Sequence, residues 1–382
     1  MDPVVRAGRA LRALGREPVL TASAPGRVNL LGGHTDYNEG FVLPVAIDRR
    51  CAVALAPRYD GRLRVRSEAM GETVSLPGDA PPGSVAGWGA YVAGVAWALR
   101  GVGIDVGADL AIASDVPLGA GLSSSAALEV AAGLALASLA GTRLDGPTLA
   151  RHCQRAENEF VGVDCGILDQ YAAACGRRDH ALLLDCRTLT HESVPLGRDA
   201  ALVIVDTNVA HALADSAYND RRAACERAVS LLDGRLDHPV SALRDVSPAD
   251  LERHADVLPA DLHRRARHVV TENVRVREAA AALRAGDLPR LGGLMDAAHD
   301  SLREDYEVSC PEVEVVVDLA RTHPGVLGAR LTGGGFGGSV VCLVRPDAVD
   351  GFRSEVETRF PESTGIDPSV FGCATDDGAR LD

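Results

Sequence analysis

The sequence predicts a mixed α/β chain, and three observations carry that expectation. Strand-like apolar runs stand at 19–30 and 40–56, on either side of the turn-rich segment Gly-Gly-His-Thr-Asp-Tyr-Asn-Glu-Gly. A glycine-serine loop at 117–125 leads into a helix of small residues. From about 213 to 322 the apolar spacing becomes mostly helical, with polar joints.

In chain order, 61–77 reads as a further β-hairpin and 88–101 as a helix with apolar residues at helical spacing. A short strand is expected at 108–114 and a long small-residue helix at 123–140. Residues 147–160 read as helical, with Pro147 in the first turn, where its missing N–H costs nothing. The runs 182–186 and 201–207 are strand candidates. Gly-Val-Leu-Gly-Ala-Arg-Leu-Thr followed by Gly-Gly-Gly-Phe-Gly-Gly gives a strand, a glycine turn, and then a strand or a helix. The change from mixed to helix-rich pattern places a domain boundary near 190–210, dividing the chain into 1–195 and 196–382.

A net charge of −14 argues against nucleic-acid and anionic-membrane partners. The first fifteen residues lack the apolar stretch and cleavage site of a secretory signal, and no long apolar run suits a membrane span. The nine cysteines form no C-x-x-C pair, which fits reduced thiols in a cytoplasmic protein. There is no lysine, so chemistry that needs one is excluded: a Walker A loop, a protein-kinase strand lysine, a Schiff base.

The segment from Asp115 to Glu129 is the strongest local signal. Its glycines let backbone N–H groups converge on one anion. The serines follow where a helix should begin, so free amides and the positive dipole end face the same point. The ordinary alternative is a flexible turn with a serine helix cap.

Pro-Leu-Gly-Ala-Gly-Leu-Ser-Ser-Ser-Ala-Ala-Leu-Glu-Val-Ala resembles the central motif of the GHMP kinases, the galacto-, homoserine, mevalonate and phosphomevalonate kinases. Three further segments resemble the galactokinase branch: 24–38, 162–170 and 331–344. The connecting chain at 210–222 and 299–312 is similar as well. The resemblance implies an α+β protein of two GHMP kinase domains with the active site between them, the N-terminal one of ribosomal-protein type and the C-terminal one ferredoxin-like. It implies ATP as co-substrate, Mg²⁺, a small-molecule sugar as partner, and a monomer or weak homo-oligomer.

By the same resemblance Asp169 is the catalytic base and Arg27 the arginine beside it. A carboxylate can accept the proton of an attacking hydroxyl, and a guanidinium can face the developing phosphoryl charge. Ser125 and Glu157 match Mg²⁺ ligands. Glu159 points roughly 200° away around a helix, so only one of the two glutamates faces the site. The loop residues Gly119, Ala120, Gly121, Leu122, Ser123, Ser124 and Ser125 match the ATP phosphate cradle. Ser67 matches a nucleotide contact and Trp88 an adenine neighbour. Gly333 to Gly338 either close over the phosphates or form a strand-to-helix turn. Gly33, His34, Thr35, Asp36, Gly166 and Tyr218 match the sugar site.

One departure stands out. The galactokinase pattern has glutamate before His-Thr-Asp, and this chain has Gly33. In the family that carboxylate is understood to meet the hydroxyl on the sugar's sixth carbon. Losing a charged hydrogen bond costs about 1.5–3 kcal/mol. Either a neighbouring group or water substitutes and galactose remains the acceptor, or recognition shifts toward L-arabinose, a 6-deoxy or 6-substituted galactose, or galacturonate. A protein of another class, a sugar sensor without turnover, should have a damaged serine loop or Asp/Arg pair; here both are intact.

Overall fold

The computed structural model describes residues 1–210 and 214–382. Of the segment 210–222, residues 211–213 therefore lie outside the described residues.

The chain opens with helix α1 (Pro3–Ala13), started by Asp2, whose side chain accepts from the Val4 amide at 2.7 Å, and by proline in the first turn. Strands β1 (Leu20–Asn29), β2 (Phe41–Val42) and β3 (Pro44–Arg58) follow, then the hairpin β4 (Leu63–Ser67) and β5 (Thr73–Leu76). Helix α2 (Gly89–Arg100) precedes β6 (Gly107–Ser114), α3 (Ser124–Leu139), α4 (Gly146–Arg155) and α5 (Leu168–Cys175). After β7 (His180–Asp185) and β8 (Thr190–Pro195) comes β9 (Ala201–Ala210). Helices α6 (Ala214–Leu232), α7 (Pro248–Arg253), α8 (Ala260–Ala285), α9 (Leu288–Ser301) and α10 (Pro311–Thr322) form the helical stretch. The chain ends with β10 (Val326–Thr332), β11 (Gly337–Val344), α11 (Val349–Thr364), β12 (Ser369–Cys373) and β13 (Arg380–Leu381).

Strand β3 is buried along nearly its whole length because both faces of its sheet are covered. That sheet runs β13-β1-β3-β6-β4-β5. On one face α1 lies on alanines: Ala7, Ala10 and Leu11 meet Ala52, Ala54, Ala56, Ala111 and Ala113. Small side chains on both partners let helix and sheet approach closely. On the other face α3 is apolar almost all the way round, as a helix buried on every side must be.

The second sheet is antiparallel, in the order β10-β11-β9-β12. Its strands alternate strictly: Leu202 and Ile204 face the first core, while Val203 and Val205 face the second core under α10 and α11. A third sheet, β2-β7-β8, completes the first half of the chain. Strand β8 ends at 195, and β9, from 201, belongs to a different sheet. The C-terminus nevertheless returns, with β13 pairing on β1.

Buried Arg50 fastens this return. It donates to Ser23 Oγ (3.1 Å) and Ser23 O (3.0 Å) on β1, and to Asp376 Oδ2 (2.8 Å), Asp377 O (2.8 Å) and Gly378 O (3.0 Å) in the tail. Two sequence expectations are refined. The glycine turn at 333–336 joins two strands, so the strand-to-helix alternative is excluded. The helix expected at 147–160 is α up to Arg155 and then a π turn over Ala156–Val161, the kind of widened turn that recurs at functional sites.

Arg50→Ala removes five bonds and takes from buried Asp376 one of its two close guanidinium partners, the other being Arg178 at 2.5 Å. Urea denaturation should show a loss of about 3–5 kcal/mol. A change below about 1 kcal/mol would show that the tail docks without the clamp.

Candidate active site

Local backbone geometry builds the site from three places. The pairing of β1 with β3 shifts register between Pro25 and Arg27, a bulge that re-aims the arginine. Arg27 is buried and reaches across to the first turn of α5. Its Nε and Nη2 meet Asp169 Oδ1 at 2.7 and 2.5 Å, and its Nη1 donates to Gly121 O at 2.6 Å. Asp169 Oδ2 accepts from Ser123 Oγ at 2.5 Å. The carboxylate is 32% exposed, so both oxygens are held while the group still opens to solvent.

The loop before α3 takes left-handed backbone at Gly119, Gly121 and Ser123 (φ 75, 72 and 61°). Ser123 occupies the cap position of α3 yet makes no side-chain cap bond; its hydroxyl goes to Asp169 instead. The first amides of α3 are therefore not consumed by a serine cap. The loop is pinned from behind by Ser339 Oγ on Ala120 O (2.7 Å). Gly333 of the β10–β11 turn stacks on it so closely that a Cβ there would come 2.9 Å from Gly121 O.

One cavity of about 430 Å³ gathers Arg27, Gly33, His34, Asp36, Glu157, Gly166, Asp169 and Tyr218. Gly333, Gly334, Gly335 and Phe336 close its rim. Asp36 and Gly166 are fitted to each other, because a Cβ on Gly166 would overlap the Asp36 carboxylate. Burial and then the nearby Asp169 raise Asp36 from 3.8 to about 6. His34 holds the left-handed region (φ 62°), a strained conformation for so large a residue. Its Nδ1 shares a hydrogen bond with Tyr37 Oη (2.9 Å), which in turn shares one with Tyr306 Oη (2.7 Å). Its Nε2, beside the Gly334 backbone, makes no hydrogen bond of good geometry. Burial first, and then His268 and Arg330, push His34 down to about 3, so the imidazole is neutral.

Glu157 is buried in the π turn, and burial followed by Asp169 raises it to about 7. Gln170 Nε2 ties it to a second buried carboxyl, at 2.6 Å from Glu157 and 3.1 Å from Glu129. The Ser125 hydroxyl is among the groups that pull Glu157 back down. Glu159 is turned away and exposed, paired with Arg155 at 3.1 Å.

Other expected residues lie off the cavity. The Thr35 hydroxyl donates to Gly32 O (3.0 Å) and Phe41 O (2.7 Å), shaping the loop behind His34. Ser67 and Trp88 share another corner through Glu72: the Ser67 amide donates to its carbonyl (3.0 Å) and Trp88 Nε1 to its carboxylate (3.3 Å). Leu122 is buried, Ser124 is half-buried and Gly119 is exposed. Sequence reasoning missed Asn29 and Asn219 on the cavity, and Glu129 and Gln170 behind it. Only Glu129 carried a signal, as the one charge in an otherwise apolar helix.

Known proteins resemble this chain over most of its length. Profiles described as GHMP kinases N terminal domain, galactokinase galactose-binding signature and GHMP kinases C terminal match residues 90–177, 12–57 and 279–362. A galactokinase of Roseiflexus sp. is 48% identical over 365 residues, covering 95% of this chain and 93% of its own. One of Streptomyces coelicolor is 46% identical over 382 residues, covering 98% and 97%. The crystal structure of Lactococcus lactis galactokinase complexed with galactose matches with a TM-score of 0.89 at 37% identity, over 94% of each chain. A mevalonate kinase matches in fold alone, with a TM-score of 0.65 at 18% identity over 94% of this chain and 99% of that one. The chain belongs to the galactokinase branch of the GHMP kinase family.

Proposed function

We propose that this chain transfers the γ-phosphoryl group of ATP to the anomeric hydroxyl of a galactose-configured sugar, giving galactose 1-phosphate and ADP when the acceptor is galactose. The observation that carries the reading is the Asp169 carboxylate, gripped by Arg27 on one oxygen and Ser123 on the other, on a cavity also lined by His34, Asp36 and Tyr218. The galactokinase relatives and the galactose-bound Lactococcus structure support the same acceptor.

Phosphoryl transfer demands positioning and charge stabilisation more than covalent help. Asp169 takes the proton of the attacking hydroxyl. Arg27 holds that carboxylate and adds positive charge where phosphoryl oxygens gather. The amides of residues 119–125, at the positive end of α3, bind the phosphates, which explains how a chain without lysine handles ATP. Ser67 and Trp88 belong to the nucleotide side of this reading.

Glu157 and Ser125 fit a hard divalent cation. A buried carboxylate raised by a second carboxylate is relieved by positive charge, and a hydroxyl beside it completes a small oxygen donor set. Mg²⁺ bound there would screen the phosphate charge. Asp36 and neutral His34 offer an acceptor and a ring nitrogen to sugar hydroxyls, and Gly166 leaves room for the Asp36 carboxylate.

Incubating the protein with ATP, Mg²⁺ and galactose should release ADP and a sugar 1-phosphate. Asp169→Asn should lower kcat about 10²–10⁴-fold while sugar binding survives. Near-normal turnover in that variant would refute the base assignment, and sugar binding without any turnover in the wild type would favour a sensor.

Asp36 gives a second test. Its folded pKa of about 6 lies above the ordinary 3.8, so its contribution to stability is full at low pH and is lost as pH rises through about 6. At pH 8, Asp36→Asn should make the unliganded protein about 1–2 kcal/mol more stable. The gain should vanish near pH 4, and sugar affinity should fall. Equal melting of variant and wild type at both pH values would sink the idea.

A further inference from the structure

Behind Glu157 stands a buried pair of side chains that the transfer chemistry above leaves unused. Gln170 is fully buried, and its Nε2 lies 2.6 Å from Glu157 Oε2 and 3.1 Å from Glu129 Oε2. The amide thus spends one N–H on each carboxyl group. Two such partners also decide which end of the amide faces them, since its oxygen would be repelled there. Glu129 is fully buried too, on a helix whose other buried residues are alanine, valine, leucine and glycine.

Packing gives no account of these two residues. Glu129 Oε1 and Gln170 Oε1 are buried and receive no hydrogen bond among the described residues. A buried polar group left partly unpaired is less favourable than an apolar side chain of similar shape. A leucine at 129 would suit the surrounding core better.

The pair does fix where Glu157 points. Glu157 belongs to the π turn, where its carbonyl is shared between the amides of Gly162 (2.9 Å) and Val163 (3.1 Å). Gln170 grips the Glu157 carboxylate from α5, and Glu129 holds Gln170 from α3. Gln170 directly follows Asp169, so one helical step of about 100° sends Asp169 to Arg27 and Ser123, and Gln170 to Glu157. Glu129 stands four residues after Ser125, one turn further along the same face of α3. Ser125, Glu157 and Asp169 are therefore all referred to the same two helices.

We propose that Glu129 and Gln170 are positioning residues for the divalent cation: through the Gln170 amide they hold the Glu157 carboxylate in a fixed place relative to Asp169 and the Ser125 hydroxyl. Removing a group that orients a metal ligand from behind typically lowers metal affinity about 10–100-fold. This inference rests on the reading of Glu157 and Ser125 as cation ligands, and adds to it two residues that lie off the cavity.

The test titrates Mg²⁺ into the full chain saturated with ADP and reads the melting temperature, so affinity is measured without turnover. The Mg²⁺ dependence of kcat/KM is read in parallel. Gln170→Met keeps the length and removes both donors, and it should weaken apparent Mg²⁺ affinity at least tenfold. Glu129→Leu should weaken it at least tenfold, while its melting temperature without Mg²⁺ is no lower than that of the wild type. Glu129→Gln still offers Gln170 an acceptor and should stay within threefold of the wild type. ADP affinity in EDTA should stay within threefold in all three variants. Mg²⁺ affinity within threefold of the wild type in both Gln170→Met and Glu129→Leu would overturn the proposal. So would an equal loss of metal-free ADP binding, which marks a general collapse of the site, or a loss in Glu129→Gln as large as in Glu129→Leu. Glu157→Gln separates the two kinds of failure. Unchanged Mg²⁺ affinity there refutes Glu157 as a cation ligand; a loss there with none in the other variants refutes the positioning role alone.

Discussion

The site depends first on the guanidinium of Arg27. It belongs to the central sheet, yet its three nitrogens engage Asp169 at the start of α5 and the carbonyl of Gly121 in the loop before α3. Three segments far apart in sequence thus meet on one rigid planar group. Because a guanidinium offers donors in a fixed fork, it sets distances as well as charge. A lysine could neutralise Asp169 but could not also fix where the loop carbonyl stands. In a chain whose basic residues are all arginines, this geometry is obtained without a special residue.

Main-chain contact ties the second half of the molecule to the first. The turn between β10 and β11 lies against the loop before α3, glycine on glycine; Ser339 fastens it to that loop through Ala120 O (2.7 Å), and Thr332 accepts from the Asn29 amide at the end of β1 (3.0 Å). Close backbone approach leaves little slack, so the position of one loop constrains the other. The tail clamp at Arg50 and the shared core around Leu202 and Val341 act in the same direction. The two sheets are therefore interleaved through the C-terminal return.

Much of this was legible in the sequence because motifs name contacts that the backbone must make. Strands at 19–30 and 40–56, the hairpin at 61–77 and the helix after the serines all follow from period and turn chemistry. The converging cavity residues His34, Asp36, Gly166, Asp169 and Tyr218 come from three separate motifs that resemble one family. Other features left no trace in local pattern. The π turn at 156–161 differs from an α-helix by one residue of hydrogen-bond register, which composition does not encode. Strand β13 is two residues long and exists because Arg50 and β1 receive it. Thr35 sits inside a sugar motif yet serves the backbone of its own loop, a distinction that only side-chain direction reveals. Arg330 is invisible for the same reason: nothing in Gly-Ala-Arg-Leu-Thr says that its far nitrogen ends beside residue 33.

The residues that read as functional are also those that the fold tolerates at a cost. Asp36 and Glu157 carry raised pKa values because burial and Asp169 penalise their charged forms. His34 is held neutral in a left-handed backbone, and Arg330 is buried with one carboxylate shared between it and Arg275. In the reading proposed above, the raised carboxyl groups would be relieved by their ligands: Glu157 by a cation and Asp36 by sugar hydroxyls. A pocket designed for stability alone would have replaced Asp36 and Glu157, and the chain keeps them while the surrounding sheets and the Arg50 clamp supply the rigidity that holds them in place.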